Sequence, residues 1–261
     1  MLLGQDCAPA NATCQNKGLT GNQRGQRCGL PLCQKGHHCH RCAIGGGTKS
    51  RSVAVERVWE GIHRECGHQT AREVHVPEWD RFHWRCSRCD AHGVAWAPPA
   101  TPCAACGIAL DTRREEALLD LEVRSAQHPR LLLDVTVHHS VPGDAARLAR
   151  AADQDGAVNK EAEKIKRVRY PAAQAPWKLL PLAMESYGRL GIEALRHLRL
   201  LAKRKAQTLD EDADQAAGTL VSRWACRLSV SLHRENARNV RAALGENQKM
   251  LRDDLAAELA G

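Results

Sequence analysis

Eleven of the chain's 12 cysteines precede residue 107, and ten of its 13 histidines fall within the first 138 residues. Disulfide frameworks spread their half-cystines through a fold, whereas metal sites set them as close pairs. Cys86-x2-Cys89 and Cys103-x2-Cys106 are such pairs, separated by 13 residues. Each knuckle offers two thiolates to one tetrahedral ion, which is zinc-ribbon spacing. Pro98, Pro99 and Pro102 favour an extended link between the knuckles. His92 is a substitute ligand, but the symmetric pairs make the four cysteines the simpler set. An earlier cluster holds Cys28, Cys33, His37, His38, Cys39, His40 and Cys42, seven donors where four suffice. Read as C-x4-C-x4-H-x3-C it selects Cys28, Cys33, His38 and Cys42, with His37 and His40 as the other choices for the histidine. Cys7 and Cys14 lie in a polar leader and read as plain thiols; Cys66 and Cys226 read as packing residues on helices.

A second chemistry sits in 117–123 and 130–137, two apolar runs joined by a turn with His128-Pro129. They predict a β-hairpin. Strands so apolar are buried, and a buried carboxylate must be paired, hydrogen-bonded or metal-bound. Asp134 and Thr136 share one face of the second strand, and Asp120 and Glu122 one face of the first. Brought together, these faces make a hard-oxygen site for Mg²⁺ or Mn²⁺. The following run, Lys160 to Tyr170, is charged at helical spacing. A lysine from it could orient a water or stabilise charge on a phosphate; the plain alternative is that its cations only pair with Asp120 and Asp134.

The elements around these groups follow from periodicity. Residues 1–27 lack it and read as a disordered leader; 28–47 is the zinc knuckle. Val55, Val58, Trp59, Ile62 and Cys66 mark an amphipathic helix over 52–66, stopped by Gly67. Ala71 to Val76 reads as a strand ended by Pro77, and the ribbon occupies 84–107. Beyond residue 140 the pattern is helical over 145–170, 186–206, 211–244 and 247–260, broken at Gly143, at Pro171 to Pro181 and at Gly245. Leu190, Leu195, Leu198 and Leu201 mark one packing face, and Leu220, Val221, Trp224, Leu228 and Leu232 another. With 261 residues, 38 Lys and Arg against 30 Asp and Glu, and nine aromatic residues, the chain has room for one or two domains. No window has the roughly 18 consecutive apolar residues of a membrane span. The start has neither the basic n-region nor the apolar stretch of a secretory signal. Export is not expected, so the thiols should stay reduced, as in the cytoplasm. The formal charge of +8 stays basic after seven thiolates and two zinc ions are counted, and suits nucleic acid.

The order of these features resembles the restriction-like endonuclease region of non-LTR retrotransposon polyproteins, within the PD-(D/E)XK nuclease superfamily. The resemblance runs over about 28–245 of the chain. Its carriers are Cys28-x4-Cys33-x4-His38-x3-Cys42, Glu65-Cys66-Gly67, Arg72 to Pro77, Asp120-Leu121, Leu133-Asp134-Val135-Thr136-Val137, Ala162-Glu163-x2-Lys166-x3-Tyr170, and Pro181 to Gly188. It implies an α/β nuclease core with a small mixed sheet flanked by helices, spanning 52–185 with the zinc ribbon inserted, and a helical C-terminal region over 186–261. Asp120 and Asp134 would take the two acidic positions. Thr136 stands where the superfamily usually has lysine, and the lysine comes from the next helix, as Lys166 with Lys164 the runner-up. Glu73 matches an early acidic residue and Tyr170 an aromatic beside the site. Leu119 stands where a proline usually precedes the first Asp.

The resemblance implies a nuclear location, as the alternative to a cytoplasmic one, and a metal-dependent DNA endonuclease derived from a retrotransposon. It would carry two structural zinc ions and one catalytic Mg²⁺ or Mn²⁺, act on DNA or RNA, and partner a reverse transcriptase encoded by the parent element. The rivals are an inactive zinc-dependent nucleic-acid-binding protein and a partner-binding domain that docks through its helical tail.

Overall fold

The computed structural model describes residues 8–245 apart from 10, 19–22, 36, 100–101, 126–129 and 210–211. The expected helix over 247–260 and the His128-Pro129 turn lie outside these residues. The protein is mixed α/β. It comprises α1 (His37–Arg41), α2 (Gly47–Glu65), β1 (Gln69–His75), β2 (Arg81–Cys86), β3 (His92–Ala95), β4 (Leu110–Glu115), β5 (Leu118–Arg124), β6 (Leu131–His138), α3 (Ala145–Asp153), α4 (Ala157–Arg169), β7 (Lys178–Glu185), α5 (Ile192–Ala206) and α6 (Ala213–Ala243). Strand order is β1-β5-β6-β7 in one sheet and β3-β2-β4 in the other. The chain divides into two compact units, the first of 1–62, 135–162 and 182–261, the second of 63–134 and 163–181.

In the first unit the apolar stripes become a helical core. Val55, Trp59 and Ile62 of α2 are buried, as are Leu198 and Leu201 of α5 and Leu220, Trp224, Leu228 and Leu232 of α6. Helix α6 starts where the Asp212 carboxylate accepts from the amides of Asp214 (3.0 Å) and Gln215 (3.2 Å), satisfying donors the first turn leaves open. The expected helix over 145–170 is two helices. Asp144 caps α3, α3 stops at Gln154, and Gly156 takes a left-handed φ of 72° before α4 begins.

The leader is not disordered over its described part. Thr13 bridges Pro31 and Lys17 bridges Arg27, and Ala8, Cys14 and Asn16 are buried. Ala8, Cys14, Leu32, Cys39 and Cys42 share a cluster with Val240 and Ala243, so this segment packs on the end of α6. Cys226, expected to pack, is exposed on α6, and Cys66 is half-buried just beyond α2.

In the second unit β1 pairs antiparallel with β5, and β5 with β6, as the hairpin reading requires. A cluster of Val76, Trp79, Ala117, Leu119, Leu132, Tyr170 and Ala175 forms its core. Strands β4 and β7 are elements that sequence periodicity missed. Pro181 reads as a breaker, yet β7 is an edge strand, where a missing N–H on the outer side costs no ladder bond.

Candidate functional site

Zinc geometry provides a fit test for the cysteine clusters. Tetrahedral Zn–S bonds of about 2.3 Å put two sulfurs about 3.8 Å apart, against about 2.05 Å in a disulfide. In the ribbon, Cys86 and Cys106 are 3.4 Å apart, Cys89 and Cys103 3.6 Å, and Cys89 and Cys106 3.8 Å. All four donor atoms lie within 4.8 Å of one another. Both knuckles turn the same way, with a left-handed residue four places after the first cysteine, Asp90 (φ 59°) and Gly107 (φ 73°). The amides of Cys89 and Arg88 donate to the Cys86 sulfur and pull its pKa down to about 6, toward the thiolate that metal binding needs. His92 is exposed, with Nδ1 3.1 Å from the Asp90 carbonyl, and stands outside the group.

The first cluster differs from its sequence reading at one ligand. Cys14, Cys28, His38 and Cys42 offer donor atoms within 4.8 Å of one another. Cys14 and Cys42 sulfurs are 3.8 Å apart, and Cys28 Sγ is 3.3 Å from His38 Nε2. Cys33, expected as a ligand, is exposed, and its sulfur accepts the His37 amide at 2.9 Å. The cause is backbone pairing. Cys14 N donates to Leu30 O (2.8 Å) and Cys28 N to Asn16 O (2.9 Å), which carries Cys14 beside Cys28. Cys42, just past the end of α1, donates its amide to His38 O (2.8 Å), one helical turn back, which sets the other two donors side by side. Burial, with the charges of Cys42 and Cys28, pushes the Cys14 thiol up to about 12. A cation among these sulfurs would offset that cost and let them ionise. Two Cys/His sites therefore could hold zinc.

The acidic residues meet in the second unit. Arg72 stands opposite Leu121 and Val74 opposite Leu119, while Leu121 stands opposite Leu133. The β1–β5 register passes over Glu73 and Asp120, and Asp120 and Asp134 follow the last β5–β6 pair by one residue, so each of three neighbouring strands carries one carboxylate. Glu73 has φ 51°. A left-handed glutamate inside a strand is strained, and such strain collects where a fold positions functional groups.

Asp134 is buried, and Lys166 Nζ lies 2.7 Å from Oδ1 and 2.9 Å from Oδ2. Burial pushes the Asp134 carboxyl above its ordinary range, and the Lys166 ammonium works against that rise. Helix α4 turns a polar stripe inward. Asn159 and Glu163 are buried and Lys166 half-buried, while Ile165 and Val168 are exposed. Lys164, the other lysine weighed, is exposed. Two buried polar residues beside Ala162, on a helix that leaves Ile165 and Val168 exposed, depart from ordinary solvation rules. Tyr170 continues the inward side, stacked near Trp79 with ring centroids 5.4 Å apart. Burial, then the Asp134 charge and to a lesser extent that of Asp120, pushes its hydroxyl up to about 12, so both carboxylates act on one place.

Two nearby acids are already committed. Glu122 is buried and pairs with Arg124 and with Arg130 (3.2 Å). Glu115 binds Arg81 (2.9 Å), Arg169 (3.1 Å) and His83. Thr136, in the first unit, has its hydroxyl 3.0 Å from His138 Nε2. Comparison with protein-family models, with curated proteins and with solved structures finds no match.

Proposed function

We propose that the protein is a divalent-metal-dependent endonuclease, a retrotransposon-derived member of the restriction-like nucleases, that hydrolyses a phosphodiester bond of DNA. The observation that carries this reading is the buried Asp134 held by Lys166, with Asp120 on the neighbouring strand β5. Oxygen donors on adjacent strands, one of them desolvated and already held by a cation, suit a hard divalent ion. Asp120 and Asp134 would hold Mg²⁺ or Mn²⁺, with Glu73 at the margin of the same row. When bound, the ion supplies a lowered water pKa and neutralises charge on the phosphate. Lys166 has two roles available to it. It compensates Asp134 before substrate arrives, and its ammonium can position the attacking water or stabilise a phosphate oxygen. Tyr170 packs the floor of the site and stays protonated, so it adds no competing negative charge.

The two Cys/His sites would hold structural zinc ions. With the basic balance of the chain they support phosphate contact, which weakens as salt rises. A reverse transcriptase from the parent element is the partner that this origin supplies. Among the described residues no helix is long and apolar enough to cross a membrane. Asp134→Ala should abolish nicking while leaving DNA affinity in place, and undiminished nicking by that variant would sink the assignment.

A further inference from the structure

Helix α4 opens without a side-chain cap. Gly156 takes the capping position, and the first intrahelical bond runs from Lys160 N to Gly156 O (3.0 Å). The amides of Val158 and Asn159 are left without an acceptor among the described residues. Around this opening the first unit has two cavities of about 390 and 370 Å³, the size of small-molecule sites. Ser140, Val158 and Glu185 line the first, and Asn159 and Lys160 the second, while Asp155, Gly156 and Arg189 belong to both.

Two of the lining side chains are buried and short of a donor. Glu185 is 8 % exposed, and its carboxylate has the Ser140 hydroxyl beside it but no ion pair among the described residues. Burial pushes this carboxyl above its ordinary range, against the Ser140 hydroxyl and the Arg189 charge. Asn159 is 1 % exposed. Its Nδ2 donates to Arg189 O (3.1 Å), which fixes the amide's orientation and leaves Oδ1 with no partner. These acceptors call for N–H donors. The open amides of α4 call for an oxyanion, and so does Lys160, which is exposed and has no carboxylate partner among the described residues. Asp155 is bound by Arg189 at 2.7 Å, with side chains 95 % and 47 % exposed, so the pair opens at little cost and frees the guanidinium for a second anion. Among the described residues Glu185 belongs to no group of three metal donors.

We infer that this cleft binds a guanine nucleotide, with its base on Glu185 and its phosphate at the start of α4 beside Lys160. A carboxylate offers two oxygens side by side, and guanine is the base that sets two N–H donors, its N1–H and its 2-amino group, next to each other on one edge. Adenine and cytosine set a donor beside an acceptor there, and thymine has one donor between two acceptors, so each leaves a Glu185 oxygen facing a lone pair. The oxyanion then accepts from the Val158 and Asn159 amides, as phosphates do at helix N-termini. The same chemistry comes as a free nucleoside monophosphate or as the 5′ end of a strand. None of the residues given to cleavage is used, so the inference stands whether or not the chain cuts DNA.

The test is isothermal titration calorimetry of the full zinc-loaded chain, without added Mg²⁺, with GMP, AMP, CMP, guanosine and a 5′-phosphorylated single DNA strand that begins with guanine. GMP should bind about tenfold tighter than AMP or CMP, the worth of one bidentate base contact, and tighter than guanosine, which lacks the phosphate. Glu185→Gln should erase the preference for GMP over AMP. Lys160→Ala should weaken GMP and leave guanosine unchanged, and because Lys160 is exposed this variant keeps the fold even if Glu185→Gln does not. A strand that binds tighter than GMP names a strand end as the occupant, and the reverse order names the free nucleotide. Absence of GMP binding, equal affinity for the three nucleotides, or unaltered GMP affinity in Lys160→Ala would each overturn the inference.

Discussion

Replacing Cys14 by serine should release one zinc ion, while replacing Cys33 should release none. Cys14 is 1 % exposed, with its sulfur 3.8 Å from that of Cys42, and it belongs to the four-donor group. Structural zinc supplies about 10–16 kcal/mol in small domains. An equal share among four ligands is about 3–4 kcal/mol, or between two and three powers of ten in zinc affinity. The loss should spread to stability, because the site's segment packs with Val240 and Ala243 of α6. Cys33 is exposed and only accepts one amide, a role that a serine oxygen fills, so its replacement should cost within about 0.5 kcal/mol. Competition with a chromophoric chelator gives the affinities, and native mass spectrometry counts the ions. Two zinc ions per wild-type chain are expected, with one weakened in Cys14→Ser and both unchanged in Cys33→Ser. A Cys33→Ser protein that sheds zinc while Cys14→Ser keeps two would refute the backbone-pairing argument.

Lys166→Met should destabilise the second unit by about 3–5 kcal/mol in urea titration, because it strands a buried carboxylate. That loss should be smaller at pH 5 than at pH 8, since burial already raises the Asp134 pKa and protonation removes the unpaired charge; equal losses at both pH values would contradict the pairing. For Glu115 burial alone would raise the pKa, but hydrogen bonds from His83 and Arg81 and the charge of Arg169 hold it at about 2, below its ordinary 4.5. A carboxylate depressed on folding adds stability that is full above its unfolded value and disappears as pH falls through the folded one. Asp80 is shifted the same way: the Ala117 amide and the Arg114 guanidinium outweigh its burial. Urea midpoints should therefore fall between pH 4.5 and pH 2, and a midpoint constant over that range would contradict these pairings.

Much of this arrangement was legible in residue order. The ribbon spacing identified Cys86, Cys89, Cys103 and Cys106, which the structure brings together, because a knuckle is a local turn. The hairpin of β5 and β6 followed from apolar runs, which put Asp120 and Asp134 on neighbouring strands. Cys14 was not legible, because an Asn/Gln/Gly-rich segment pairs through its backbone and leaves no hydrophobic alternation. Strand β7 was hidden by Pro181, whose tolerance depends on the strand's place at a sheet edge. The charged run of α4 carries no mark of which side faces inward; burial of Asn159 and Glu163 and exposure of Lys164 separate Lys166 from its neighbour. The strain at Glu73 belongs to tertiary pairing and has no signature in composition.

The most direct test of the endonuclease reading is nicking of supercoiled plasmid by the zinc-loaded protein, with and without Mg²⁺ or Mn²⁺, beside Asp120→Ala and Asp134→Ala proteins of unchanged zinc content. Metal-dependent conversion to open circles by the wild type, lost in both variants, is the expected result. A wild-type protein that is folded, holds two zinc ions and binds the plasmid, yet never cuts it at any divalent-metal concentration, would contradict the proposal.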